Sequence, residues 1–510
     1  MSTVQAHQQL PPLEEIEARR LDVSGLLDAE RRSELGQFFT PAPVARLLAG
    51  MAEARTRSYR VLDAGAGIGS LCAALVDELC KRDTQGVPGP DDICLTAFEI
   101  DPFLQPYLRE TLMRCQVRAA SAGIGCVGSL EARDFIRAGV AMIRGGMFDP
   151  QRQAFDCAIL NPPYHKIRSD SDARLLLRSV GIETSNLYTA FVALAVELLV
   201  PGGELIAIIP RSFCNGPYFR PFREALLRDM RLRRLHIFES RETAFSDDAV
   251  LQENVIIHAV KCPADDPPRS VWISSSVGPG DDLLATRQVP YDRVIRPSDP
   301  DCFIHIVPNE LGQAIADTML ALTARLTDLD LTVSTGRVVD FRARAFLRTS
   351  PDPGTVPLIH PTHLLQGEIL WPKQSRKPNA ILLDEATRDL LVPAGVYVLV
   401  KRFTAKEERR RVVAAVYDSA AVAPGPVAFE NHLNYYHDGG CGLSLDLARG
   451  LAAFLNSTLV DSYFRQFNGH TQVNATDLRS LPYPPRDTLE RLGQLVGARV
   501  ADQELVDSLV

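Results

Sequence analysis

The chain lacks a C-x-x-C pair. Its ten cysteines, Cys72, Cys80, Cys94, Cys115, Cys126, Cys157, Cys214, Cys262, Cys302 and Cys441, show no metal-ligand spacing. Such scatter argues against a disulfide framework or a zinc centre and fits buried free thiols in a reducing compartment. His432, His437 and Cys441 lie close in sequence, but their spacing matches no standard site, so no metal is expected. A long apolar run is missing too: Leu187 to Val200 carries Tyr188, Thr189 and Glu197 and falls short of the ~20 residues of a membrane helix. Met1 to Glu34 is polar and charged with no apolar core, so no secretory signal is expected and the protein reads as soluble and cytoplasmic. There is no internal repeat and no low-complexity tract. Nor is there positive net charge: at −8, a whole-surface polyanion binder is disfavoured. Charge can still be segregated, and two basic clusters stand out, Lys373/Arg376/Lys377 and Lys401/Arg402/Lys406/Arg409/Arg410/Arg411.

What is present is ordinary globular material, 46% hydrophobic and 23% charged over 510 residues, enough for two domains. From Tyr59 to Val260 short apolar runs alternate with segments of helical period, the pattern of a βαβ sheet. Seven strands are expected, at Tyr59 to Leu62, Ile93 to Phe98, Gly125 to Val127, Phe155 to Leu160, Glu204 to Ile209, Arg234 to Phe238 and Asn254 to Ala259. Leu187 to Leu199 reads as a helix packed on the sheet, stopped by Pro201-Gly202-Gly203. Lys261 to Ser270, with three prolines among charges, looks like a linker to a second domain over Val271 to Val510. That half alternates less clearly; Val396 to Val400 and Leu447 to Phe467 are its best-marked segments.

Two motifs carry the chemistry. Asp63-Ala64-Gly65-Ala66-Gly67-Ile68-Gly69 follows the first strand and lets backbone approach a ligand closely, while Glu99, after the second strand, stands where ribose hydroxyls would lie. Neither selects a cofactor, since nucleotide-binding folds of several kinds share them. Asn161-Pro162-Pro163-Tyr164, directly after an apolar strand, is more specific. A planar exocyclic amino group is a poor nucleophile because its lone pair is delocalised. If Asn161 and the Pro162 carbonyl each accept one of its hydrogens, the lone pair can turn to an electrophilic methyl. Tyr164 adds a stacking face worth about 1–3 kcal/mol for a base. The plainer alternative is a proline-stiffened turn with a buried tyrosine.

In this order, the glycine turn, Glu99, Asp134-Phe135 and Asn161-Pro162-Pro163-Tyr164 resemble the S-adenosylmethionine-dependent amino methyltransferases. Gly36-Gln37-Phe38-Phe39-Thr40-Pro41, ahead of the turn, resembles the cofactor-closing segment of gamma-class DNA adenine-N6 methyltransferases. The similarity extends to the PstI/BsuBI type of modification methylase through Phe238-Glu239-Ser240-Arg241, Phe245 and Leu251 to Ile256. Second-half segments Ser334-Thr335-Gly336, Lys401-Arg402-Phe403, Glu430-Asn431-His432 and Gly469 to Asn474 are similar as well.

The resemblance implies an α/β fold: a Rossmann-like methyltransferase domain with a mixed, mostly parallel seven-stranded sheet, and a C-terminal α/β target-recognition domain. Its boundaries would be an N-terminal extension over 1–35, a catalytic domain over 36–262 and a DNA-binding domain over 271–510. By the same resemblance Phe39 and Thr40 would contact the methionine end of S-adenosylmethionine, and Asp63 with Gly65, Gly67 and Gly69 would line its pocket. Glu99 would bind the ribose, Ile100 would pack on the cofactor adenine and Asp134 would accept from its amino group. Asn161, Pro162 and Tyr164 would hold an adenine flipped from duplex DNA, with Phe245 as its second stacking face. Bland roles stand beside these: Phe245 competes with Phe213 and Phe238 for that face, and Asp134 is placed to cap the helix starting at Phe135. Lys401, Arg402, Arg409, Arg410 and Arg411 would contact phosphates. The implied enzyme is a monomer protecting host DNA, with any cognate restriction endonuclease on a separate chain, because about 35 residues before the cofactor segment are too few for a nuclease domain. Methylation of RNA or of a protein glutamine amide is the alternative.

Overall fold

The computed structural model describes residues 12–26, 39–82, 88–145, 154–238, 253–262, 269–278, 280–281, 283–307, 309–404, 408–467 and 472–510. The chain divides into two compact units, Met1–Asn309 and Glu310–Val510. In the first, helices α1 (Pro12–Leu26) and α2 (Ala42–Ala49) precede β1 (Ser58–Ala64), α3 (Ser70–Arg82), β2 (Asp92–Phe98), α4 (Gln105–Ser121), β3 (Gly125–Glu131) and α5 (Phe135–Arg144). Then come β4 (Phe155–Leu160), α6 (Asp172–Arg178), α7 (Leu187–Leu198), β5 (Leu199–Pro210), α8 (Arg220–Asp229), β6 (Met230–Phe238), β7 (Asn254–Lys261), β8 (Ser270–Ser276) and β9 (Leu283–Pro290).

These strands form one sheet in the order β3-β2-β1-β4-β5-β7-β6-β8-β9. β3, β2, β1, β4 and β5 are mutually parallel, and β7 runs antiparallel between β5 and β6. Apolar residues of α1 to α4 (Ile16, Leu48, Leu75, Leu108) cover one face, while those of α5 to α8 (Ile136, Leu177, Leu194, Leu226) cover the other. Buried on both faces, the central strands are nearly continuous apolar runs, which is why β4 and β5 are legible from composition. Pro201-Gly202-Gly203 falls inside β5 as an irregularity in its pairing with β4, Gly202 lying at φ +80°. The strand order reverses between β1 and β4, and such a switch point opens a crevice beyond the carboxyl ends of the strands.

All seven expected strands are present, and β8 and β9 add two. Residues 263–268 lie outside the described residues, but the strands on either side of them share this sheet, so the proline-rich connection joins strands rather than domains. The boundary expected between 262 and 271 therefore moves to 309/310. The N-terminal stretch is likewise more than an extension, because Leu13, Ile16 and Val23 of α1 are buried in the first core. Glu17 of α1 accepts from the backbone N–H of Ala42 at 2.9 Å, tying α1 to the start of α2.

The second unit contains a four-stranded antiparallel sheet in the order Thr332–Thr335, Leu433–His437, Val396–Lys401, Ala414–Asp418, and a five-stranded sheet of shorter pieces. The expected strand at Val396 is there, and the Leu447 to Phe467 segment is two helices, Leu445–Leu455 and Thr458–Phe467, broken at Asn456-Ser457. Among the described residues no helix is long and apolar enough to cross a membrane.

Candidate active site

At the end of β1 the chain turns through Gly65, Gly67 and Gly69, with φ of +79°, +58° and +89°, a region side chains rarely adopt. At Gly69 space is also lacking: a Cβ would stand 2.8 Å from Thr111 Cγ2 and 2.9 Å from Leu108 Cδ1 of α4. The turn is bound to the end of β2. Gly65 and Ala66 N–H donate to Phe98 O at 3.0 and 2.9 Å, and Gly67 N–H donates to Glu99 Oε2 at 2.8 Å. Glu99 Oε1 accepts from Asp101 N–H at 2.7 Å, so backbone amides hold both carboxylate oxygens. Burial outweighs these bonds and pushes the Glu99 carboxyl up to about 7. Asp63, fully buried, is also pushed up to about 7 by desolvation. Its Oδ2 accepts from Cys72 Sγ at 3.3 Å, whereas its Oδ1 has no hydrogen-bond partner among the described residues.

A cleft of about 660 Å³ opens here, and Phe39, Gly65, Gly67, Glu99, Ile100, Asp134 and Asn161 of the expected residues line it. Ile100 is half exposed at its wall, an apolar surface open to a ring. Asp134 caps α5, Oδ1 accepting from Arg137 N–H at 2.8 Å, and the residue also lines the cleft. Phe191 of α7 and Pro163 line the cleft too, and a Cβ at Gly65 would meet each at 3.6 Å. Phe191 escapes a sequence reading because α7 is apolar nearly all round.

Asn161 directly follows β4 and is buried. Its Nδ2 donates to Thr40 Oγ1 at 2.9 Å, joining residues 121 apart in sequence, and its Oδ1 accepts from Tyr164 OH at 3.1 Å. That hydroxyl is also 3.1 Å from Ile208 O of β5, and the Tyr164 ring meets Tyr188 edge-on, centroids 6.2 Å apart. The segment carrying Thr40 is anchored from behind. Glu204, at the start of the parallel part of β5, accepts from Glu53 N–H at 2.7 Å, Ala54 N–H at 2.9 Å and Tyr59 OH at 3.0 Å, and contacts His258 Nε2 at 3.1 Å.

Other expected residues fare differently. Thr40, Asp63, Gly69, Pro162 and Tyr164 do not line the cleft itself; Thr40 and Tyr164 reach it through Asn161. Phe245 and Gly36 to Phe38 lie outside the described residues. Of the alternatives to Phe245, Phe213 packs in the core against Phe222 and Phe238 is buried against His236, so neither offers a face to a base. In the second unit Lys401 and Arg402 are half-buried and Arg409 is exposed. Arg411 is a correction. It is 1% exposed, its guanidinium donates to Thr404 O, and its N–H donates to Asp461 Oδ1 at 2.6 Å, so it supports the fold and cannot reach a phosphate.

The family described as Eco57I restriction-modification methylase matches residues 131–245. Type II methyltransferase M.PstI of Providencia stuartii is 43% identical over 496 residues, 97% of this chain and 96% of its own. Type II methyltransferase M.BsuBI of Bacillus subtilis is 45% identical over 488 residues, 95% and 94% of the two chains. Among solved structures, a Listeria monocytogenes protein described as a class I S-adenosylmethionine-dependent methyltransferase covers 48% of this chain and 67% of its own, at TM-score 0.36 and 16% identity. The DrdV–DNA complex covers 93% and 58%, at TM-score 0.46 and 11% identity. With the glycine turn, the acidic end of β2 and Asn161 gathered at one cleft, the chain belongs to the type II methyltransferases of restriction–modification systems, enzymes that use S-adenosylmethionine.

Proposed function

We propose that the protein transfers a methyl group to N6 of an adenine flipped out of duplex DNA at a specific sequence, marking host DNA against a cognate endonuclease. The observation that carries this is the Asn161 amide, whose nitrogen is committed to Thr40 Oγ1 and whose oxygen therefore points the other way. When bound, S-adenosylmethionine supplies an electrophilic sulfonium methyl. The residues fit it: the bare backbone of the glycine turn would admit close approach, Glu99 would offer a carboxylate to the ribose hydroxyls, Ile100 would pack on the adenine and Asp134 would accept from its amino group. Asp63 Oδ1 is a buried acceptor that a donor at the methionine end, beside Phe39 and Thr40, would satisfy.

On the acceptor side, Asn161 Oδ1 and Pro162 O each take a hydrogen bond from the target amino group, drawing its nitrogen toward tetrahedral geometry. The Tyr164 hydroxyl can give its proton to Ile208 O and leave the Asn161 oxygen to the base. The Tyr164 ring supports the base on one side and Phe245 on the other. Flipping is required because the N6 atom is otherwise inside the stack. Lys401, Arg402, Arg409 and Arg410 remain in the reading as DNA contacts. So do a monomeric enzyme and a separate endonuclease chain.

Modification-sensitive sequencing of DNA from cells expressing the protein tests the reading. N6-methyladenine at one recurring sequence is the expected result; N4-methylcytosine alone, or no modified base, would overturn it.

A further inference from the structure

Four segments far apart in the second unit meet at one end of its four-stranded sheet. The pairs Thr335 with Asn434 and Lys401 with Leu433 close that end. Just beyond it, Arg402 N–H donates to His432 O at 2.9 Å and Val473 N–H to Arg402 O at 2.7 Å, while Phe403 bridges to Gln472. Asn434 knits the cluster together, donating to Val473 O at 2.8 Å and accepting from Thr335 Oγ1 at 3.0 Å. Gly336 comes so close that any Cβ would run into the Glu430 carbonyl.

His432 stands at the centre. Glu430, 1% exposed, accepts the His432 backbone N–H through Oε2 at 3.0 Å and the ring Nδ1–H through Oε1. With Nδ1 turned to the Glu430 carboxylate, Nε2 is the remaining polar atom of the ring. The ring is half exposed and leans on Phe403, centroids 4.8 Å apart; Phe403 is itself exposed and carries the Arg402 guanidinium 5.7 Å from its centroid. Glu430 is backed by the fully buried His360, whose Nδ1 lies 3.8 Å from Glu430 and whose Nε2 lies 3.8 Å from Asp340, which pairs with Lys377 at 2.8 Å.

Holding a half-exposed ring between a carboxylate and an aromatic neighbour costs rotamer entropy that the nearby core does not require. We propose that His432, fixed by Glu430 and tilted against Phe403, contacts a base edge of the DNA target and sets specificity at one base pair; this rests on the DNA reading above. The major groove presents hydrogen-bonding base edges that an imidazole Nε2 held in one orientation can meet. Arg402, donating to Asn431 O at 3.3 Å, steadies the platform.

The test uses the full chain and tritiated-methyl cofactor on the duplex that the wild type methylates, together with duplexes each altered at one base pair. His432→Ala should lower kcat/KM on the cognate duplex by about 10- to 100-fold. It should also erase the penalty at one particular base pair while the other penalties persist. Phe403→Leu, at an exposed position, should relax the same pair more weakly and keeps the test sound if the first variant misfolds. Equal loss on every duplex, or wild-type selectivity at every pair, would overturn the proposal. Failure of the wild type to methylate any DNA would overturn the underlying reading instead.

Discussion

Asn161 has one polar atom engaged by Thr40 and one turned to the proposed base, so truncation removes both an anchor and an acceptor. Asn161→Ala should reduce methyl transfer by about 100- to 1000-fold, the scale of losing one placed polar contact in a transition state. Cofactor affinity, read by calorimetry, should change little. Glu99 and Asp63 make a pH prediction, since burial raises both to about 7. Below about 4 both are protonated whether the chain is folded or not. Between there and about 7 the folded chain holds protons that the unfolded chain has released, so stability from these groups declines as pH rises and levels off above that range. Cofactor binding should run the other way, because ribose hydroxyls donate best to an ionised Glu99. The rise in Tm caused by S-adenosylmethionine should therefore grow from pH 5.5 to about 7.5 and then plateau; a constant rise would exclude Glu99 from that contact.

At the scale of elements, the turn between β1 and α3 works because three positions tolerate positive φ and one also meets α4. Gly69→Ala should destabilise the fold by about 1–3 kcal/mol, measured by urea unfolding, and weaken cofactor binding with it. The glycine turn, the acidic end of β2 and the tetrapeptide after β4 could be read from sequence since each lies within a few contiguous residues beside a strand. Thr40 could be placed near the methionine end only by resemblance. Its bond to Asn161 depends on α2 docking and on the Glu204 anchor, which no local pattern encodes. The helix cap at Asp134 was legible for the same reason as the turn: a capping aspartate sits directly before the helix it caps.

For the whole molecule, a net charge of −8 means that DNA affinity must come from local basic groups. Charge reversal at Lys401 and Arg409 should reduce the slope of log affinity against log salt by about one per lost phosphate contact, leaving cofactor affinity intact. An unchanged slope would place DNA elsewhere. Arg411→Ala should behave differently. Removing a buried guanidinium strands the Thr404 carbonyl and costs about 1–3 kcal/mol by denaturant titration, without a specific effect on the salt slope.

Contiguous patterns sufficed for the α/β class, the seven strands, the glycine turn and the tetrapeptide after β4, because periodicity and turn chemistry act over a few residues. Burial and meeting across distance did not follow from them. The proline-rich stretch after Lys261 has the composition of a linker, yet the strands flanking it pair in the same sheet. Arg409 and Arg411 belong to one basic run, yet packing exposes the first and encloses the second. Sequence alone singled out Asn161-Pro162-Pro163-Tyr164 as the candidate site for an amino group. Only the tertiary structure decided which remote residues hold it and where the first unit ends, because both depend on side chains that approach one another only once the core has closed.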